Sequence, residues 1–144
     1  MSKPFIKFHA FVEAMAKGKH NLEVPGSGGD TLKLALCNAS NAPASTDSIY
    51  SDLTVIDMTN IDSNTLVIST SAQTSGKFIL KCNNKTMTAT GGAVPTFRYI
   101  VIYNDSATNK DLIGYYDYGE NVTLEENHIF TVQFDQTNGV INNE

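Results

Sequence analysis

The residues best suited to chemistry are His9, His20 and His128, Cys37 and Cys82, and two sets of carboxylates. Their spacing argues against most of what they could do. A zinc site needs clustered His and Cys ligands at defined intervals. His9 and His20 lie on or near one short N-terminal segment, His128 is remote, and neither cysteine has a CxxC partner. Glu125 and Glu126 are adjacent on a turn and point apart, whereas an acid–base pair must face across a cleft. Asp47, Asp52, Asp57 and Asp62 recur every five residues, which fits neither a calcium loop nor one face of a strand. Pro25-Gly26-Ser27-Gly28-Gly29 has the glycines of a phosphate cradle. It lacks the following Gly-Lys-Ser/Thr and the preceding strand that such a loop requires. No Gly-x-Ser-x-Gly elbow occurs. The expectation is a protein that is not an enzyme, with no metal and no cofactor.

The aromatic set Phe97, Tyr99, Tyr103, Tyr115, Tyr116 and Tyr118 could form a stacking platform. A platform for bases also needs cations. Only Arg98, the single arginine, and Lys110 are close in sequence, opposed by Asp105, Asp111 and Asp117. Cross-strand packing explains most of these rings, with some tyrosines left for a subunit interface, where Tyr is enriched. Arg98 is expected to pair with Asp117 or Asp105. The net charge of −5 and pI near 5.1 argue against nucleic acid. No run approaches the ~18 apolar residues of a membrane span, so no membrane partner is expected. Residues 1–22 carry +3 and the remainder −8. That split points to a basic element docking on an acidic surface, its own or a partner's. Both cysteines sit in apolar-alternating runs and read as buried and reduced, as in a chain made in a reducing cytosol, which the resemblance given below makes the cytoplasm of a bacterial host.

The elements that would position these residues are mostly strands. Phe8, Phe11, Val12 and Met15 fall at helical spacing and predict one helix over about residues 5–18. The Gly-rich stretch 24–30 reads as a mobile connector. Leu32, Leu34 and Leu36 then alternate as a half-buried strand. Residues 77–81 and 86–90 read as a hairpin turned at Asn83-Asn84, and 71–76 as a turn. Residues 97–103 are continuous enough for a central strand covered on both faces, with 112–118 as its antiparallel partner. Residues 122–124 and 129–134 follow, around a turn at Glu125–Asn127. The fold class is mainly β: an antiparallel sandwich or barrel-like domain with one N-terminal α-helix. The 144 residues read as one domain, with a helical arm (1–22), a β core (31–135) and a polar tail (136–144) that peels away.

The run Gly91-Gly92-Ala93-Val94-Pro95-Thr96-Phe97-Arg98-Tyr99, through Tyr103-Asn104-Asp105, then Leu112-Ile113-Gly114-Tyr115-Tyr116-Asp117-Tyr118-Gly119, resembles small virion structural proteins of tailed bacteriophages. The opening Lys7-Phe8, Phe11-Val12 and His20-Asn21-Leu22 is similar to the start of such proteins. The resemblance is sharp over 91–124, while 24–30 reads as an insertion and 44–64 matches weakly. It implies a virion location and a role in assembly, foremost as a capsid decoration (cement) protein bound to the major capsid protein or other virion proteins. A homotrimer or other symmetric oligomer is the expected state. Gly91, Gly92, Phe97, Arg98, Tyr99, Tyr103, Asp117, Tyr118 and Gly119 are then a structural motif. Lys3, Lys7, Lys17, Lys19, Gly26, Gly28 and Gly29 are the expected partner interface. The alternatives are a tail, neck, connector or baseplate subunit, and a carbohydrate-binding module, against which the lack of Trp counts.

Overall fold

The computed structural model describes residues 4–143. In chain order its elements are β1 (Ile6–Lys7), α1 (His9–Ala16), β2 (Leu32–Cys37), β3 (Ile68–Thr74), β4 (Lys77–Cys82), β5 (Lys85–Thr88), β6 (Val94–Asn104), β7 (Leu112–Leu124), β8 (Ile129–Val132) and β9 (Ile141–Asn143). Every strand pair is antiparallel. One sheet runs β1-β7-β6-β2, and the others run β3-β4-β9 and β5-β8. Together they make the β-sandwich-like fold with one N-terminal helix expected from the sequence.

The long β6–β7 ladder is the spine. From Tyr99 to Tyr103 its side chains alternate between two layers, as a pleat demands, and an irregularity between Phe97 and Tyr99 shifts the phase before that. Phe97, Ile100 and Ile102 join Leu32, Leu34 and Leu36 in the main core, against residues of the other two sheets. Val101 and Tyr103 point the other way, onto Phe8, Ala35 and Cys37. The second layer is closed by Tyr50, Leu53 and Val55, from the 44–64 stretch that carries little sequence pattern. The β2 strand is therefore buried on both faces rather than half-buried, with Leu34, Ala35, Leu36 and Cys37 all fully enclosed. Each such aliphatic residue contributes about 1.5–3 kcal/mol by leaving water.

The same stretch seals one side of the sandwich. The Leu34 N–H donates to Asn64 O and Leu66 N–H to Leu32 O, both at 2.9 Å. Asn64 Nδ2 adds a bond to Leu34 O at 2.8 Å. Further along, Ile61 bridges Ala89 beside β5. Sheet edges are sites of unwanted pairing, and this segment covers two of them.

Several expectations change. The helix spans only His9–Ala16, because residues 6–7 pair with β7. Val12 is 61 % exposed rather than on the core stripe, and Ala14 is buried in its place. The hairpin turns at Ser75-Gly76, both at positive φ (53° and 82°), as a two-residue turn between paired strands requires. It joins β3 to β4. At Asn83-Asn84 the chain passes from one sheet to another. Asn84 Oδ1 accepts the Phe134 N–H at 3.0 Å there, and β5 pairs with β8. The tail does not peel away. Val140 and Ile141 are buried, and β9 pairs with β4.

The Gly-rich stretch is an ordered turn, not a loose connector. Pro25–Ser27 is a 3₁₀ turn, and the Ser27 and Gly29 N–H groups both return to Val24 O. A Cβ on Gly29 would lie 1.6 Å from the Glu23 carbonyl oxygen, so no side chain fits there.

Candidate functional site

The side opposite the sealed one is open. A cleft of about 740 Å³ lies between β7 and β8. Its walls carry Phe5, Tyr116, Tyr118, Phe130 and Phe134, with Asp135 at one end. The register explains the gap. The β1 strand pairs Ile6 with Tyr115 and Lys7 with Gly114. Among the described residues no strand pairs with the outer edge of β7 beyond Tyr115. Gly114 is required where β1 crosses, since a Cβ there would sit 2.2 Å from the Phe5 ring and 2.8 Å from Ile6 O.

The rings inside the cleft hold one another. Phe5 meets Tyr116 at 5.3 Å, Tyr118 meets Phe130 edge-on at 5.3 Å, and Phe97 supports Phe130 from the core at 5.2 Å. Such tilted and edge-to-face pairs are the favoured aromatic geometry. They leave no flat ring of the kind a sugar platform presents. Burial pushes the Tyr116 hydroxyl up from its ordinary range, with Cys82 and Asp135 adding to the effect. The β7 edge is itself blunted. Gly119 sits at φ +93° and its N–H is capped by Asp117 Oδ1 at 2.8 Å. Among the described residues, Asp135 is the one charged residue in the lining. The Asn138 and Thr137 N–H groups that it accepts lower its pKa, and Lys81 lies close enough to add to that.

The expected structural motif is assembled. Gly91 and Gly92 have φ of 81° and 151°, and a Cβ on Gly92 would lie 2.8 Å from Asn60 Nδ2. That amide bonds to Ala93 O at 3.0 Å and fixes the approach to β6. Arg98 pairs with Asp117 in a two-pronged contact, Nε–Oδ1 at 2.9 Å and Nη2–Oδ2 at 3.1 Å, and lies 5.6 Å from the Tyr99 ring centre. Asp105 pairs instead with Lys33 and Lys110. Tyr103 is buried against Tyr50, and burial drives its hydroxyl up to about 12.

The expected interface is less unified. Lys3 lies outside the described residues. Lys7 is exposed on β1. Lys17 pairs with Glu13 and Lys19 reaches Asp111 at 3.8 Å. Gly26 and Gly28 have open space around them, while Gly29 is hemmed in by Glu23. Asn21 brings Lys19 and the glycine turn to one end, through Nδ2 to Gly28 O at 3.2 Å.

The other chemical candidates have local roles. Asp47, Asp52 and Asp62 accept backbone N–H groups at turns, from Ala44, from Ser48 and Ile49, and from Ser63 and Thr88. Asp57 does the same for Thr59. These are turn caps of the Asx kind. Burial pushes the Cys37 thiol up to about 11, with Asp47 adding to it, and the Cys82 thiol to about 12. Both are free thiols. His9 and His128 are exposed.

Sequence reasoning missed the polar hub at Asn104. It is fully buried at the end of β6. Its Nδ2 reaches Asp30 Oδ2 at 2.6 Å and His20 Nδ1 at 2.9 Å. Its Oδ1 accepts the Ser106 and Ala107 N–H groups at 2.9 and 3.2 Å. One amide thus ties the β6–β7 turn to the N-terminal segment. The available signal was Asn-Asp-Ser-Ala directly after a long apolar strand, an Asx-turn pattern. Lys19, Asp30 and Asp111 surround a smaller cavity of about 280 Å³ beside it.

Among the described residues, no helix is long and apolar enough to cross a membrane and no three His, Cys, Asp or Glu side chains gather as a metal site. No family model, curated protein or solved structure matches the chain.

Proposed function

We propose that this is a non-enzymatic virion structural protein of a tailed phage, a decoration protein that stabilises the head by binding the major capsid protein. The observation that carries the reading is the open side of the sandwich, an aromatic cleft with the carboxylate of Asp135 in its lining. The Gly91–Gly119 motif, whose resemblance is to virion proteins, builds one wall of it. Interfaces of this kind place aromatic anchors at the centre and polar groups at the rim. The aromatic lining and the Asp135 carboxylate select an extended apolar segment of the shell protein carrying a basic residue as the occupant. Lys7, Lys19 and the glycine turn offer a second contact surface for bridging neighbours. Many weak contacts repeated by symmetry, in a trimer or other closed oligomer, would supply the cementing effect.

The test is add-back. Phage particles lacking the protein should release their DNA at a lower temperature than complete ones. Adding the purified protein should restore the difference, less effectively at high salt, which screens charge pairing. Thr131→Arg, on an exposed residue lining the cleft, should fold normally yet fail to restore it. Add-back without effect would refute the cement role. Full restoration by Thr131→Arg would move the contact away from the cleft.

A further inference from the structure

His20 is 6 % exposed, and its Nε2 is enclosed without a hydrogen-bond partner among the described residues. The groups facing it come from five places. Lys19 is on its own segment, Asp30 precedes β2, Asp111 precedes β7, Asn104 ends β6, and the Phe11 ring of α1 lies 5.3 Å away.

The hydrogen-bond network fixes which ring nitrogen carries the proton. Asn104 Oδ1 is engaged by the Ser106 and Ala107 N–H groups. The Asn104 –NH₂ must therefore face both Asp30 and His20. His20 Nδ1 then accepts, so the neutral ring holds its proton on Nε2.

Adding a second proton puts an N–H on Nδ1, pointing at the Asn104 –NH₂ only 2.9 Å away. Two donors cannot share that contact. Asn104 cannot turn over to help. Turning would set its –NH₂ against two backbone N–H groups and its oxygen against the Asp30 carboxylate. The charged ring must leave Asn104, and the nearby carboxylates of Asp30 and Asp111 attract it. Asp30 Oδ2 currently holds both Asn104 Nδ2 and the Asn21 N–H at 2.8 Å. An ion pair with His20 competes with both bonds.

We infer that His20 is a pH-operated latch: its protonation breaks the Asn104 clamp and loosens residues 19–30 from the β6–β7 turn, while Thr31 stays bonded to Asp105 and Ser106. The segment includes Lys19 and the glycine turn, two of the surfaces assigned to partner contact, but the latch holds whether or not the chain sits on a particle.

The direction in pH follows from the surroundings. Burial lowers the His20 pKa below the ordinary 6.5, Asp111 and Asp30 pull it partly back, and Lys19 lowers it again. The unfolded chain therefore binds the proton first as pH falls. The stability carried by neutral His20 is fully present above about pH 6.5 and drains as pH drops from there toward the lower folded value.

The test is NMR on the intact chain between pH 8 and pH 5, following the His20 ring nitrogens together with the Ser106 and Ala107 amides. His9 and His128 serve as exposed references. At pH 8 Nδ1 should read as an unprotonated acceptor. As it gains its proton, protection of the two amides from exchange should fall about tenfold or more beyond the intrinsic pH effect, as expected when a local opening becomes easier. His20→Asn keeps an acceptor toward Asn104 and cannot titrate, so its amides should stay protected. Protonation of His20 with both amides still protected would overturn the latch. So would a His20 that never titrates in this range, or equal loss of protection in His20→Asn. Should that variant not fold, the wild-type titration decides alone.

Discussion

Asn104→Ala destabilises the fold by about 3–5 kcal/mol, measured by urea unfolding at pH 7.5. The figure follows from cutting the four side-chain hydrogen bonds of a fully buried amide, at about 1 kcal/mol each. The Ser106 N–H loses its acceptor, the Ala107 N–H keeps only the Asn104 backbone O at 3.3 Å, and Asp30 loses a donor at 2.6 Å while keeping the Asn21 N–H. Asn104→Asp is the sharper control. It preserves shape but sets an oxygen against Asp30, so it should cost at least as much as Ala at neutral pH. A loss below about 1 kcal/mol, the worth of one ordinary hydrogen bond, would show that the hub does not fasten the turn. Asp30→Asn should be milder, because an amide oxygen can still accept from Asn104.

Phe97→Ala costs about 3–5 kcal/mol, the range for emptying a buried ring site. Phe97 is fully enclosed and stands at 88° to Phe130 across 5.2 Å. Removing it opens a cavity beneath the cleft and lets Phe130 sink inward. The melting temperature should drop by about 10 °C or more for a chain of this size. Phe97→Leu should recover more than half of that. A melting temperature unchanged by Phe97→Ala would mean that the β6–β8 contact is absent in solution, and the cleft with it.

How much of this was legible in the sequence depended on whether burial left a one-dimensional trace. The β6 and β7 strands were visible because both faces of β6 are apolar and β7 begins with the same character. Arg98 could be matched to an aspartate because it is the only arginine and its neighbours are acidic. Register then decided between the two choices, placing Tyr99 opposite Asp117. The β3 strand was faint because only Ile68 and Ala72 break its run of Ser, Thr and Gln, giving weak alternation at 66–70 and a turn-like 71–76; its ladder to β4 supplies what side chains do not. The hairpin expected at Asn83-Asn84 failed for the opposite reason. Turn chemistry was present, but Asn84 spends its side chain on Phe134, and long-range pairing overrode the local preference.

The site divides in the same way. The tyrosines were noticed, and the core explanation holds for Tyr103. Tyr116 and Tyr118 line a cleft because β1 is two residues long, which no pattern within β7 could reveal. The hub was missed because one buried Asn in an Asn-rich chain does not stand out. The five-residue aspartate series, whose spacing fits no calcium loop, is a succession of turn caps closed within a few residues, with Asp62 also reaching the Thr88 N–H. That local economy is how residues 44–64 stay ordered while lying over the second core layer.

The account's central claim is that the chain is a component of a virion. The most direct measurement is quantitative mass spectrometry of particles purified from the phage that encodes it. The prediction is hundreds of copies per particle, in proportion to the major capsid protein. A dozen or fewer would shift the place to the neck or baseplate, and absence from washed, intact particles would contradict the claim altogether.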